Sequence, residues 1–570
     1  MPTGPEPFGL AIIRNTAIVP LAFSTVTAVR MSGMVQTQTF RGAIGMSASA
    51  NSRQFEYLMV WLGVISYGLT LYALWIGVHF GFHWDERIQY DNVINSYQTG
   101  LLLPRRYNYP AMIYWVGMAS VADRLAAGVA SFIEFAPRPA IPFDFFILRA
   151  RALAMVTSSL GAWWIFFALR ASPLSNRAIA PTIGLALYLF SWEFGYHARW
   201  LAPDMIVAQF VALFILCLAK AERSQSPNGW IMGAAVAAGL AISTKYTAGG
   251  LIFALWLYIL VSRRFVGRAL VITLARLTFI AAAVYLVVTP GTLLDPIIFQ
   301  RDVLIEVRHY ATGHSASSDI GSFWVYLARM WEYLGLAMMS PQPMIGVALA
   351  ALALWGLVPA WHRSRPTACA LGFLMVFYSL FWPWQVVFIV RNFLMLLPIF
   401  CYLAAIGYDA LLERALAVRK RRSTVLAATL ALAVIVMMGW NAWEQLVFGR
   451  SIVATRQVPL VFQAARYLSD RPAIPIALSP RLSADLVATG TTLPTNAVAP
   501  AEARRFLFLL SELAKTNLQL PGTRYDSYEW IGAREVNLNY YPNWKGRDHV
   551  IILDMDAARR MGIVAALYAQ

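Results

Sequence analysis

The stretch LMVWLGVISYGLTLYALWIGVHF, residues 58–80, contains no Asp, Glu, Lys or Arg. A helix of about 20 apolar residues, rising 1.5 Å per residue, crosses the hydrocarbon core of a bilayer. This run therefore reads as a membrane span. Arg41 and Arg53 precede it, and GFHWDE, residues 81–86, follows it with the adjacent carboxylates Asp85 and Glu86. Basic residues collect on the cytoplasmic side. The N-terminus is thus expected inside and the carboxylate pair outside.

Working outward, similar runs recur at about 148–169, 179–196, 203–219, 230–244, 248–262, 270–289, 342–361, 367–382, 392–411 and 424–440, eleven with the first. The 570-residue chain is 59% hydrophobic and 13% charged, whereas soluble domains carry about 25% charged residues. The expected fold is an all-α polytopic membrane protein with a small C-terminal extramembrane α/β domain. The net charge of +17 then follows from basic inner loops, and no nucleic-acid-binding module accompanies it. Inner connections would hold Arg170, Arg177, Lys220, Arg223, Arg263, Arg264, Arg268, Arg363, Arg365 and the run from Arg419 to Arg422. Short outer connections hold one cation each: Arg199, Lys245 and Arg391. Cys217, Cys369 and Cys401 lie in apolar runs, which argues against a disulfide framework.

The division expected is a cytoplasmic tail at 1–57, a transmembrane catalytic domain at 58–440 and an extracytoplasmic α/β domain at 441–570. The tail reads equally as an overextended start, with Met31, Met34 or Met46 as the beginning. Outer loops are expected at 81–147 and 290–341. Ala111–Phe135, interrupted by Asp123 and Arg124, reads as helices on the membrane surface, and Phe323–Leu334 as an aromatic amphipathic stretch. In the last domain, Ala501–Lys515 reads as helix and Val550–Leu553 as strand.

Asp85 can act as a base toward a substrate hydroxyl, with Glu86 turned to a neighbour or a metal; the plain alternative is a pair of solvated loop carboxylates. Arg199, five residues before Asp204, joins Lys245 and Arg391 as a lone outer cation. Each alone is an ordinary loop residue. Together, on the side of Asp85, they would form an anion pocket suited to phosphate. His309 and His314 are five apart with Gly313 between, a spacing poor for two ligands on one helix face. The reading is a loop in which His309 donates a hydrogen bond near the substrate.

These pieces, in order, resemble the polytopic glycosyltransferases of the GT-C superfamily, most of all the protein O-mannosyltransferase and aminoarabinose lipid A transferase group. The pieces are Asp85-Glu86 after the first span, Tyr109–Trp115, Arg199 to Asp204, Thr244-Lys245, His309–His314 and Arg391 to Pro398. The resemblance covers roughly 58–411. It implies a sugar taken from a polyprenyl-phosphate donor and moved to a hydroxyl on a glycan, lipid or protein. It gives Asp85 as base and Lys245 and Arg391 as phosphate ligands, and less firmly Arg199 and Asp204; His83, Tyr109, Asp204 and His309 are the expected substrate contacts. A divalent metal ion is admitted by the carboxylate pair but required by nothing in the sequence. The enzyme would sit in a bacterial inner membrane with its active site and C-terminus outside.

A transporter or flippase of lipid-linked sugars is the main alternative. It would place ionisable residues along a path within the membrane and relate its halves by a repeat. Here the polar residues gather at the outer ends of spans. Reporter fusions after Arg422 and after Trp440 should report opposite sides of the membrane, and a common side would dismiss the eleven-span arrangement.

Overall fold

The computed structural model describes residues 48–569 except 77, 79–83, 134–138, 173–178, 313–321, 418–420, 458–459, 489–491, 514–517, 519–528 and 532–549. The chain forms two compact units, Met1–Leu58 and Met59–Gln570. Of the first, only the beginning of the helix Ala48–Ile76 falls among the described residues, so the expected tail lies largely outside them.

Eight helices among the described residues are long and apolar enough to cross a membrane: Tyr57–Ile76, Phe143–Ala171, Pro203–Arg223, Gly267–Val288, Pro343–Arg363, Arg365–Trp384, Val390–Ala415 and Leu432–Arg450. Three further apolar helices, Ile179–Leu189, Pro227–Ile242 and Tyr246–Ser262, are shorter. The chain is a multi-pass membrane protein. Among the described residues every apolar run read from the sequence is helical over most of its length, because a backbone in lipid must satisfy its own hydrogen bonds.

Burial separates the centre of the bundle from its rim. The apolar stretches of Val390–Ala415 and Pro203–Arg223 are 94% and 83% buried, and that of Gly267–Val288 only 11%. Val271, Ile272, Phe279 and Val287 of that last helix are exposed, as suits a surface facing lipid. The central helix Leu397–Ala417 packs along Pro343–Arg363. Backbones meet there: a Cβ on Gly356 would overlap the Leu403 carbonyl oxygen, and one on Gly407 the Leu352 carbonyl oxygen. Small residues of this kind let membrane helices approach closely.

The region 81–147 holds the helix Trp84–Thr99, a loop, and two short helices, Met112–Ser120 and Ala122–Ile133. The break between the last two falls just before Asp123. The loop is held from several sides. The Ala111 amide donates to Thr289 Oγ1 (3.2 Å), Trp115 Nε1 to the Val288 carbonyl (2.7 Å), and Tyr246 Oη to the Tyr107 carbonyl (3.0 Å). The region 290–341 is largely helical: Gly291–Leu294, Pro296–Thr312 and Phe323–Leu336. His309 therefore stands on a helix and not in the loop expected from Gly313. His314 lies outside the described residues.

The C-terminal segment carries a four-stranded sheet in the order β1-β2-β4-β3, with β1 Ile476–Leu478, β2 Arg505–Leu509, β3 Glu529–Ile531 and β4 Val550–Asp554. β1 and β2 are parallel and the other pairs antiparallel. Alternation sends Phe506 and Phe508 into one apolar cluster, Leu507 and Leu509 into another. β4 confirms the strand expected at Val550–Leu553. β2 replaces the first part of the helix expected over Ala501–Lys515, and Leu510–Leu513 is helical as expected. A short apolar run covered on both faces has no alternation to mark it as a strand.

Replacing Gly356 by Val should force the two central helices apart. Overpacking costs about 1–3 kcal/mol, so the detergent-solubilised variant should melt several degrees below wild type, and Gly372→Val, at a position with no atom within 4 Å of the added carbon, should not.

Candidate functional site

Asp85 and Glu86 occupy the first turn of the helix Trp84–Thr99, where carboxylates favour the positive end of the helix dipole. Adjacent positions on a helix point about 100° apart, and the two part company. Glu86 is fully buried and meets Arg151 of the helix Phe143–Ala171 in a two-pronged pair, at 2.8 Å to Nε and 2.6 Å to Nη2. Arg151 Nη1 also donates to the Val78 carbonyl (2.8 Å), and the Leu201 amide donates to Glu86 Oε1 (3.1 Å). Glu86 thus fixes the helix start against its neighbours. The sequence-based alternative of a solvated loop pair does not hold for either carboxylate.

Asp85 turns the other way. Its Oδ2 accepts from Arg391 Nη1 at 2.6 Å and from Tyr109 Oη at 3.2 Å. Arg391 stands on a short 3₁₀ turn, Val390–Leu396, just before the central helix, and its Nη2 donates to Tyr109 Oη (3.3 Å). Its Nη1 also lies 3.8 Å from Asp204 Oδ2. Asp204 enters at the first turn of Pro203–Arg223, after Pro203. Its Oδ1 accepts from Lys245 Nζ at 2.6 Å, and Lys245 also donates to Asn392 Oδ1 at 2.7 Å. Asn392 Nδ2 in turn donates to Tyr310 Oη (3.3 Å). Lys245 is placed by the turn that closes Pro227–Ile242, where its amide bonds the Ala241 carbonyl.

Asp85, Tyr109, Asp204, Lys245 and Arg391 are therefore brought together by five segments distant in sequence. Asp85, Asp204, Lys245 and Arg391 are all buried. Burial pushes the Asp85 carboxyl above its ordinary value, and Arg391 restrains the rise. Burial pulls the Lys245 ammonium down while Asp204 opposes it. Tyr109 is raised well above the usual phenol by burial, so it acts as a hydrogen-bond donor.

Other expected residues stand differently. Arg199 is buried, but its described contacts are the carbonyls of Gly195, Leu74 (3.4 Å) and Ala73 (3.3 Å) and the ring of Phe448. Those contacts tie it to the first span. His309 is half-buried with its ring 5.5 Å from that of Tyr310. Burial and then Arg391 hold its imidazole below the usual value. His83 lies outside the described residues. Among the described residues, three or more His, Cys, Asp or Glu side chains do not come together as a metal site.

Arg151, Asn392 and Tyr310 were not anticipated. An arginine inside an apolar run is a signal in itself, since it must find a partner. Asn392 and Tyr310 lie inside quoted motifs, but amides and phenols carry no such signal.

Residues 143–291 match the family model for dolichyl-phosphate-mannose-protein mannosyltransferase. The matched segment contains Arg151, Arg199, Asp204 and Lys245, and agrees with the resemblance drawn from the sequence. The chain is also similar to the crystal structure of ArnT from Cupriavidus metallidurans bound to undecaprenyl phosphate, at 15% identity, TM-score 0.47, covering 88% of this chain and 98% of that one. A second similar structure is the apo oligosaccharyltransferase of Archaeoglobus fulgidus, at 12% identity, TM-score 0.43, covering 79% of this chain and 65% of that one. No curated protein matches the chain.

Removing one partner of a buried ion pair costs about 3–5 kcal/mol. Glu86→Gln and Arg151→Met should each lower the melting temperature strongly, and the double variant should recover part of the loss. Additive losses in melting would show that the pair is not an energetic unit.

Proposed function

We propose that this chain is a membrane glycosyltransferase that moves a sugar from a polyprenyl-phosphate donor to a hydroxyl acceptor, with inversion, on the extracytoplasmic face. The observation that carries this reading is the buried meeting of Asp85, Arg391, Asp204 and Lys245 at 2.6–3.8 Å. The family model matched over 143–291 supports the choice of donor. Eleven spans, a cytoplasmic N-terminus, a catalytic domain at 58–440 and an external α/β domain at 441–570 belong to the same reading, as does a bacterial inner-membrane location.

The chemistry follows from the charges. Two cations and two carboxylates balance before any ligand arrives. A donor phosphate, anionic and rich in acceptor oxygens, competes with Asp85 for the Arg391 guanidinium. Asp204 Oδ2, buried and accepting no hydrogen bond among the described residues, lies on the side toward which Arg391 can lean. Lys245 supplies the second donor. The acceptor oxygen then attacks the anomeric carbon from the face opposite the phosphate. The bond from that carbon to the phosphate oxygen breaks, its electron pair stays on the lipid phosphate, and the acceptor proton passes to Asp85. Arg391 and Lys245 stabilise charge that grows on the leaving phosphate, which is where electrostatic catalysis acts. Losing Arg391 and gaining an anion beside it both raise the basicity of Asp85. Glu86, locked to Arg151, holds the base in place.

Asp85→Asn should lower single-turnover transfer by about 10²–10⁴, while affinity for bare polyprenyl phosphate is not weakened, because Arg391 no longer has a carboxylate to leave. Lys245→Ala and Arg391→Ala should weaken that affinity. Transfer needs the ionised carboxylate, so wild-type rate should fall with decreasing pH along a limb centred above the ordinary Asp value of about 3.9. The limb should be absent from the residual rate of Asp85→Asn. Near wild-type transfer by Asp85→Asn would overturn the mechanism.

A further inference from the structure

The helix Pro296–Thr312 turns Asp302, Glu306 and Tyr310 inward, spaced by four and therefore on one face. The ends of this stripe are occupied. Asp302 Oδ2 accepts from the Tyr107 amide at 2.9 Å, and Tyr310 is bonded to Asn392. Glu306, between them, is half-buried and receives one long hydrogen bond, 3.4 Å from Asn108 Nδ2. Among the described residues no Lys, Arg or His nitrogen lies within 4 Å of it. A carboxylate has about four acceptor positions, so most of the capacity of Glu306 is unspent among the described residues.

Its place in the fold says what it faces. Asn108 is the residue before Tyr109, and Tyr109 donates to Asp85. Adjacent residues of one short loop thus touch Glu306 and the base. The charges of Asp85, Arg391 and Lys245 all act on Glu306, and burial raises its carboxyl above the ordinary value. Glu306 thus stands beside the cluster, one loop residue from the partner of Asp85 and one helical turn from Tyr310, whose partner Asn392 accepts from Lys245, and among the described residues it is paired with neither buried cation.

We propose that Glu306 is a specificity-determining residue that accepts hydrogen bonds from the glycosyl group of the donor. This rests on the glycosyl-transfer reading above. A carboxylate repels phosphate, so it cannot serve the anionic part of the donor. Hydroxyl or ammonium groups of a sugar are the donors it can satisfy, and the sugar is the part of the donor joined directly to the phosphate held at Arg391 and Lys245. Hydrogen bonds to a charged group are the ones that discriminate, because losing the partner leaves a half-buried charge unsatisfied.

The test is binding by the purified full-length protein of bare polyprenyl phosphate and of a panel of polyprenyl-phosphate hexoses and pentoses. Acceptor KM is measured alongside with the best-bound donor. Glu306→Gln keeps shape and should leave affinity for the bare lipid within about twofold. It should cut the preference for the best sugar-bearing lipid by about 10- to 100-fold. Glu306→Asp, which keeps the charge but withdraws it, provides a second variant and should show the same loss of preference. Equal losses for both lipids, an unchanged preference, no preference in wild type, or a change in acceptor KM alone would each overturn the role of Glu306. If wild type does not bind bare polyprenyl phosphate, the glycosyl-transfer reading itself falls. Wild-type binding with an unchanged preference in the variants fells the Glu306 assignment alone.

Discussion

Burial of charge is the constraint on which this structure depends. Asp85, Asp204, Lys245 and Arg391 are withdrawn from water, and an isolated ion in such a place would carry a desolvation penalty of several kcal/mol. They persist because each meets an opposite charge at close range. The pairing also dictates where the chain runs. The start of Trp84–Thr99, the start of Pro203–Arg223, the turn after Pro227–Ile242 and the turn before Leu397–Ala417 must converge. A second buried pair, Glu86 with Arg151, secures the first of these against the helix Phe143–Ala171. The two adjacent carboxylates therefore divide the labour, one holding the backbone and the other facing the chamber.

Much of this was legible because membranes simplify sequences. A run without charge and of bilayer length is a helix on physical grounds, and among the described residues the runs found this way are largely helical. The lone cations Lys245 and Arg391 stood out against apolar surroundings, and the structure joins them through Asp204. Arg199 stood out equally, and its described contacts lie elsewhere. Its guanidinium satisfies backbone carbonyls of the first span, and a cation in a short connection looks the same whether it serves a ligand or the frame. Glu306 and Tyr310 were hidden by their helix. Ile305 and Val307, which flank Glu306, are apolar and exposed, which is the reverse of the pattern that identifies a buried face in water. In the C-terminal segment the ambiguity was of another kind. Arg505–Leu509 is covered on both faces, so its strand left no alternation to read.

The helix Pro296–Thr312 has a wider consequence. Its inner face is polar, and its outer side leaves Ile297, Leu304, Ile305 and Val307 exposed at 50–80% or so. Such a helix is comfortable only at a boundary between two solvents. On the proposed reading, that boundary solves a problem of partition. An isoprenoid chain and a phosphorylated sugar prefer opposite media, and pulling either wholly into the other's medium would forfeit hydrophobic or hydration free energy. A wall that is oily outside and polar inside lets the substrate straddle it, so that the headgroup reaches the charges while the chain remains dissolved in the bilayer.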